Sequence, residues 1–122
     1  MSSNHKNHFA DIDAYRRKLT LQYKGETVAT TENALIYKEV SSRVYDPVYY
    51  IPKQDILVEL EMEPGTKGHC PIKGHYHNWY LKGDRTASYF AWSYEAPLPV
   101  AEEIKEHIAF NPAYITFISA PL

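Results

Sequence analysis

Leu19-Thr20-Leu21-Gln22-Tyr23-Lys24-Gly25-Glu26-Thr27-Val28-Ala29-Thr30 alternates apolar and polar side chains, breaks once at Lys24-Gly25-Glu26, and then resumes. A period of two puts Leu19, Leu21 and Tyr23 on one face of an extended strand. A short glycine-bearing break returns such a strand antiparallel to itself. The segment therefore reads as a β-hairpin with one buried face, and its neighbours continue in kind. Thr31-Glu32-Asn33 turns into a third strand, Ala34 to Val40. Ser41-Ser42 leads to a fourth over Val44 to Ile51, whose Pro47 belongs at a strand end, a bulge or an edge.

Further along, Ile56, Val58, Leu60 and Met62 alternate as a short strand, and a short helix starting at Pro52 competes with it. Glu63 to Gly68 is a loop, and turn signals recur at Cys70-Pro71 and Lys73-Gly74. His75 to Leu81 and Thr86 to Tyr94, joined by Lys82-Gly83-Asp84, form the clearest second hairpin. After the proline-rich connector 95–99, one principal helix is expected near residues 99–107. Pro99 suits its first position, the acids Glu102 and Glu103 suit its N-terminal turn, and Val100, Ile104 and Ile108 form its apolar stripe. Tyr114 to Ile118 closes the chain as a strand. About seven strands in two layers with one docked helix make the fold class mainly β.

At 122 residues the chain has the size of one domain. Residues 1–18 read as a flexible N-terminal tail and 19–122 as the single domain. His5 and His8 stand three apart in the tail, which offers no frame to hold a metal between them. Eleven Tyr with four Phe and two Trp exceed what a core alone needs, so some rings belong on a rim or in a concave surface. The net charge of −2 comes without a basic stripe, so no nucleic-acid partner is expected. No apolar run reaches the length of a membrane span, and the first residues carry no apolar signal core. With one cysteine and no internal disulfide, a cytoplasmic protein with no membrane partner is the expectation. Composition leaves the oligomeric state open.

The segment His69-Cys70-Pro71-Ile72-Lys73-Gly74-His75-Tyr76-His77 concentrates the reactive side chains. Cys70 is the lone thiol, and Lys73, His69 and His75 are the neighbours that would activate it as a nucleophile. The plainer reading of a single cysteine is a small buried hydrophobe. His75 and His77 share a strand face, and with Cys70 or His69 they would suit zinc. The spacing matches no strong zinc pattern, so neither a metal nor a cofactor is expected. Trp92 and Tyr94 share one face of the second hairpin. Glu39 and Asp55 are the acids nearest the chain breaks.

Several segments together resemble the DUF427 family. They are Val28-Ala29-Thr30-Thr31 with Ala34-Leu35 and Glu39, then Tyr49-Tyr50-Ile51-Pro52-Lys53-Gln54-Asp55-Ile56, Thr66 with Cys70-Pro71-Ile72-Lys73-Gly74, Trp92-Ser93-Tyr94-Glu95-Ala96-Pro97, and Ile108-Ala109-Phe110-Asn111-Pro112. The resemblance runs from about residue 19 to 118, with Ile72 standing where an aromatic is usual and His75 and His77 less typical. It implies a compact coiled antiparallel β domain of the β-tent kind with a small helix. A nucleotidyltransferase-like label sometimes goes with the family, but the sequence has no close Asp-x-Asp or Asp-x-Glu constellation after a Gly-Ser turn, which that chemistry needs. Carried over by position, Glu39, Tyr50, Asp55, Cys70, Lys73, Trp92 and Tyr94 are the motif residues of interest. Two functional readings follow. In the first, the domain binds an unknown small molecule in a pocket around Cys70, Lys73 and the aromatic residues, with Glu39, Tyr50, Asp55, His75, Trp92 and Tyr94 as contacts, and any enzymatic step would run through Cys70 and Lys73. In the second, it is a non-catalytic protein-interaction or structural module with an aromatic patch.

Overall fold

The computed structural model describes residues 9–122, so His5 and His8 lie outside the described residues. Eleven strands occur in order: β1 (Phe9–Ala14), β2 (Lys18–Tyr23), β3 (Glu26–Thr31), β4 (Leu35–Val40), β5 (Val48–Pro52), β6 (Leu60–Met62), β7 (Gly68–Cys70), β8 (Gly74–Leu81), β9 (Ala91–Ser93), β10 (His107–Phe110) and β11 (Thr116–Ala120). An eight-stranded sheet runs β1-β4-β5-β10-β9-β8-β6, with β7 attached to β8, and a three-stranded sheet runs β11-β2-β3. Every pairing is antiparallel. The protein is mainly β, with two antiparallel sheets and one principal helix.

The opening hairpin forms as its alternation requires. Lys24 and Gly25 both have positive φ, 50° and 83°, the geometry whose twist matches that of paired strands. Leu19, Leu21 and Tyr23 are buried. They pack with Val28 and Ala29 against Ile51, Phe90, Ala91, Ile108 and Phe110 of the large sheet and its flank. This is the main core, one face of each sheet.

The structure corrects four sequence expectations. Phe9–Ala14 is a strand paired along β4, so the ordered domain begins inside the segment assigned to the tail. The run 56–62 is not one strand: Lys53–Asp55 is a single 3₁₀ turn, so the competing reading at Pro52 holds, Ile56 makes only an isolated bridge to Ala29, and Leu60–Met62 is the strand. Residues 85–90 are irregular, and β9 is only three residues long. Its register of His77 with Ser93 and Trp79 with Ala91 is set by that excursion and not by a tight turn at Gly83. The helix is a 3₁₀ segment, Pro99–Ile104, kinked at Ala101. Three residues per turn bring Ala101 and Ile104 onto its buried side, while Val100 is exposed and Ile108 lies on β10. The chain must re-enter the sheet at His107 as a central strand, which cuts the helix short.

Residues paired across antiparallel strands share a face. Leu35 pairs with Tyr50, Tyr50 with Ala109, Ala109 with Trp92, and Trp92 with Asn78. This row crosses β4, β5, β10, β9 and β8 on the face opposite the main core. Alternation adds Tyr37 and Glu39 on β4 and Tyr76 on β8. A second cluster of Tyr37, Tyr50, Tyr94, Ala101, Ile104 and Ala109 forms here, with the 3₁₀ helix over it.

The turn Pro71–Lys73 folds over this same face. Cys70 pairs with Gly74 to close it, and Leu98 N–H donates to the Lys73 carbonyl at 3.0 Å. Gly74 has φ of 104°, a conformation that side chains with a Cβ resist. Gly74→Ala is expected to cost about 1–3 kcal/mol of stability by urea denaturation. Gly25→Asn, in a turn that accepts asparagine, is expected to cost less than about 0.5 kcal/mol. Equal losses at the two positions would show that the Lys73 turn does not depend on that geometry.

Candidate functional site

Lys73 comes down from its turn onto the aromatic face and is only 8% exposed. Among the described residues its Nζ donates one hydrogen bond, 3.2 Å to Tyr50 Oη. The ammonium lies 4.3 Å from the ring centre of Tyr37, 5.0 Å from Tyr94 and 5.8 Å from Tyr50. Rings at these distances attract a cation through their negative faces. The rings brace one another edge to face, Tyr37 with Tyr50 and Tyr76 with Tyr94. Tyr37 Oη donates to Glu39 Oε1 at 2.9 Å.

Burial lowers the Lys73 pKa from its ordinary value, and electrostatic interaction with Cys70 and Glu39 opposes that shift. Burial also raises the phenols of Tyr37, Tyr50 and Tyr94, with Glu39 reinforcing the shift at Tyr37 and Tyr94. The three hydroxyls therefore stay protonated at neutral pH.

Lys73 stands at the wall between two hollows. The larger, of about 530 Å³, is lined by Tyr37, Glu39, Arg43, Tyr45 and Asp46 among others. The smaller, of about 290 Å³, is lined by Tyr76, Asn78, Tyr89, Trp92 and Tyr94. The first offers charges of both signs and the second offers rings and one carboxamide. The ammonium belongs to both.

The sequence pattern of the DUF427 family, described as a domain of unknown function, matches residues 11–119, from within β1 to within β11. The chain belongs to the DUF427 family. Comparison with curated proteins returns no match.

Within this DUF427 domain the motif residues separate by face. Glu39 lines the larger hollow, Trp92 and Tyr94 line the smaller one, and Tyr50 lies fully buried beneath Lys73. Cys70 is half-buried and packs against the same aromatic cluster. Asp55 and His75 line neither hollow. Asp55 accepts the Thr31 hydroxyl at 2.6 Å, and that hydroxyl oxygen accepts the Asn33 N–H, so the carboxylate ties the 3₁₀ turn to the end of β3. His75 is exposed and lies against His69, its ring centre 4.7 Å away. Pairing puts His69 and His75 on one face while Cys70, one residue on, takes the other. Thiol and imidazoles therefore diverge, and no group of three His, Cys, Asp or Glu suited to a metal occurs among the described residues.

On the core side of β8 and β9, Trp79 Nε1 donates to Ser93 Oγ at 2.8 Å, Ser93 donates to Glu95, and Lys53 Nζ donates to Glu95 at 2.8 Å. Burial would raise the Glu95 pKa, but the bonds from Lys53 and Ser93 prevail and hold it low.

Tyr37, Asn78, Arg43 and Tyr89 are site residues that the sequence reading missed. Tyr37 was within reach of it, standing two residues before Glu39 and so on the same face of a strand. An asparagine on the same strand face as Tyr76 and Tyr80 was a further signal. Arg43 and Tyr89 lie in irregular segments without periodicity.

Lys73 supplies a pH signature. With its folded pKa below 10.5, the buried charge opposes folding fully at pH values below that folded pKa. The opposition fades as pH rises from there towards 10.5, because over that range the unfolded chain holds more protons than the folded one. Lys73→Met exchanges a buried ammonium and one hydrogen bond for an apolar side chain. Its denaturation midpoint is expected to be no lower than that of the unsubstituted protein at neutral pH. The difference should shrink as pH is raised towards 10.5. A difference independent of pH would mean that Lys73 titrates alike in both states.

Proposed function

We propose that this domain binds a small molecule on the aromatic face, with the Lys73 ammonium as its principal polar contact. One observation carries the reading: a lysine is buried at a wall shared by two hollows, where its ammonium donates to a neutral phenol. Burying an ammonium costs stability unless it is well paired, and titratable groups in such settings concentrate at functional sites. Glu39 and Arg43 in the larger hollow supply further polar contacts of both signs. Cys70, beside the same cluster, is within the electrostatic reach of Lys73.

Concave surfaces on both sides of Lys73 favour this reading over a protein-interaction module with a flat aromatic patch. A thermal-shift screen against nucleotides, sugars, amino acids, aldehydes and metal ions tests it. A compound present at about a hundred times its Kd adds about 2.7 kcal/mol of stability. At least one class is expected to raise the melting temperature, and Lys73→Met is expected to abolish that rise. No rise with any compound at millimolar concentration would turn the assignment to the interaction module.

A further inference from the structure

We propose that the smaller hollow takes a planar heteroaromatic ring carrying an N–H donor for Asn78 and a carbonyl or carboxylate oxygen for Lys73. The inference rests on the reading of Lys73 as the ligand-contacting cation and adds the chemical class of the ligand.

Asn78 sits mid-way along β8, opposite Trp92, and is 2% exposed. Its backbone carbonyl accepts the Glu63 N–H at 2.8 Å. The side-chain oxygen Oδ1 is sealed from solvent and has no hydrogen-bond partner among the described residues. Native interiors rarely leave an amide oxygen in that condition, since a buried acceptor without a donor is costly. Asn78 lines the hollow, and among the described residues no partner to Oδ1 fixes which way its carboxamide faces. Rotation about its last torsion can therefore present the oxygen to an N–H, or the nitrogen to an acceptor, on the edge of a bound ring.

The other walls fit the same shape. Tyr76, Trp92 and Tyr94 supply ring surfaces, and Lys73 supplies a cation. A hollow of about 290 Å³ lies at the lower end of small-molecule sites, which suits one or two fused rings. Tyr89 stands at the mouth, 57% exposed and with φ of 54°. Positive φ is strained for a bulky side chain. The conformation is held by Asn111, whose Nδ2 donates to the Tyr89 carbonyl at 3.1 Å and whose N–H donates to the Phe90 carbonyl at 2.9 Å. An exposed ring kept in a strained conformation at the rim of a ring-lined hollow is placed to cover an occupant.

The test is calorimetric titration with indole-2-carboxylate and hypoxanthine as probes. Benzofuran-2-carboxylate, which keeps the shape and the carboxylate of the first but has no N–H, serves as the control. At least one N–H probe is expected to bind. Where indole-2-carboxylate binds, its benzofuran counterpart should be weaker by about tenfold or more, the loss expected when a buried acceptor goes unmet. Asn78→Leu should abolish binding of hypoxanthine and erase the preference for indole over benzofuran. Tyr89→Gly, which relieves the backbone strain and so keeps the fold, should weaken every probe that binds. The proposal is overturned if no probe binds at millimolar concentration, if indole and benzofuran acids bind alike, or if Tyr89→Gly leaves affinity unchanged. Lys73-dependent stabilisation by other compounds, with these heterocycles inert, would overturn this inference alone. Loss of all Lys73-dependent stabilisation would remove the binding reading with it.

Discussion

Ala109 pairs with Tyr50 on one side and with Trp92 on the other, and this register of the central strand β10 keeps the two faces of the large sheet distinct. A slip of one residue would carry Ile108 and Phe110 to the aromatic face and expose that row to the core. Burial of Ile108 and Phe110 against the small sheet opposes such a slip, since each large apolar side chain removed from water contributes about 1.5–3 kcal/mol. Ala109, fully buried among Tyr37, Tyr50 and Tyr94 with Ala101 and Ile104, is small where the rings are large. The site thus inherits its geometry from the core beneath it.

The aromatic face then determines what Lys73 can be. Cation–ring contacts are worth about 0.5–2 kcal/mol each, which offsets part of the desolvation of an ammonium without neutralising it. A carboxylate in place of the three rings would form a closed ion pair and leave nothing to offer a ligand. Rings hold the charge and keep it chemically available, with one hydrogen bond to Tyr50 fixing the Nζ position. The backbone contributes equally: the turn at Pro71–Lys73 is held by Gly74 and by the Leu98 N–H, so the long side chain starts from a defined place.

Much of this was legible in the residues. Alternation over Leu19–Thr30 identified the first hairpin because one face meets the core and the other meets water. Pro71 and Gly74 marked the turn that presents Lys73. Strands of three or four residues such as β6, β7, β9 and β10 span too few repeats to show a period, which is why about seven strands were expected where the described residues form eleven. Val100, Ile104 and Ile108 recur every four residues, yet only Ile104 serves the helix; Ile108 owes its apolar character to β10. Which candidates converge was not legible, since that depends on pairings through β10 between segments far apart in the chain. Asp55 and His75 carry suggestive chemistry in the sequence, and their positions are accounted for by Thr31 and His69.

The segment Trp92-Ser93-Tyr94-Glu95 shows why fold and site are hard to separate in this family. Alternation sends Trp92 and Tyr94 to the hollow beside Lys73, and Ser93 and Glu95 to the polar network with Trp79 and Lys53. Ser93 is fully buried, and its hydroxyl both accepts from the Trp79 indole and donates to Glu95. Losing it would leave the indole N–H short of its partner and Glu95, which is part-exposed, held by Lys53. That network fixes the height and tilt of β9 against β8, and therefore where the Trp92 ring stands relative to Asn78. A change on either face is felt by the other through Trp92 and Ser93 on a strand of three residues, so four contiguous positions serve two environments.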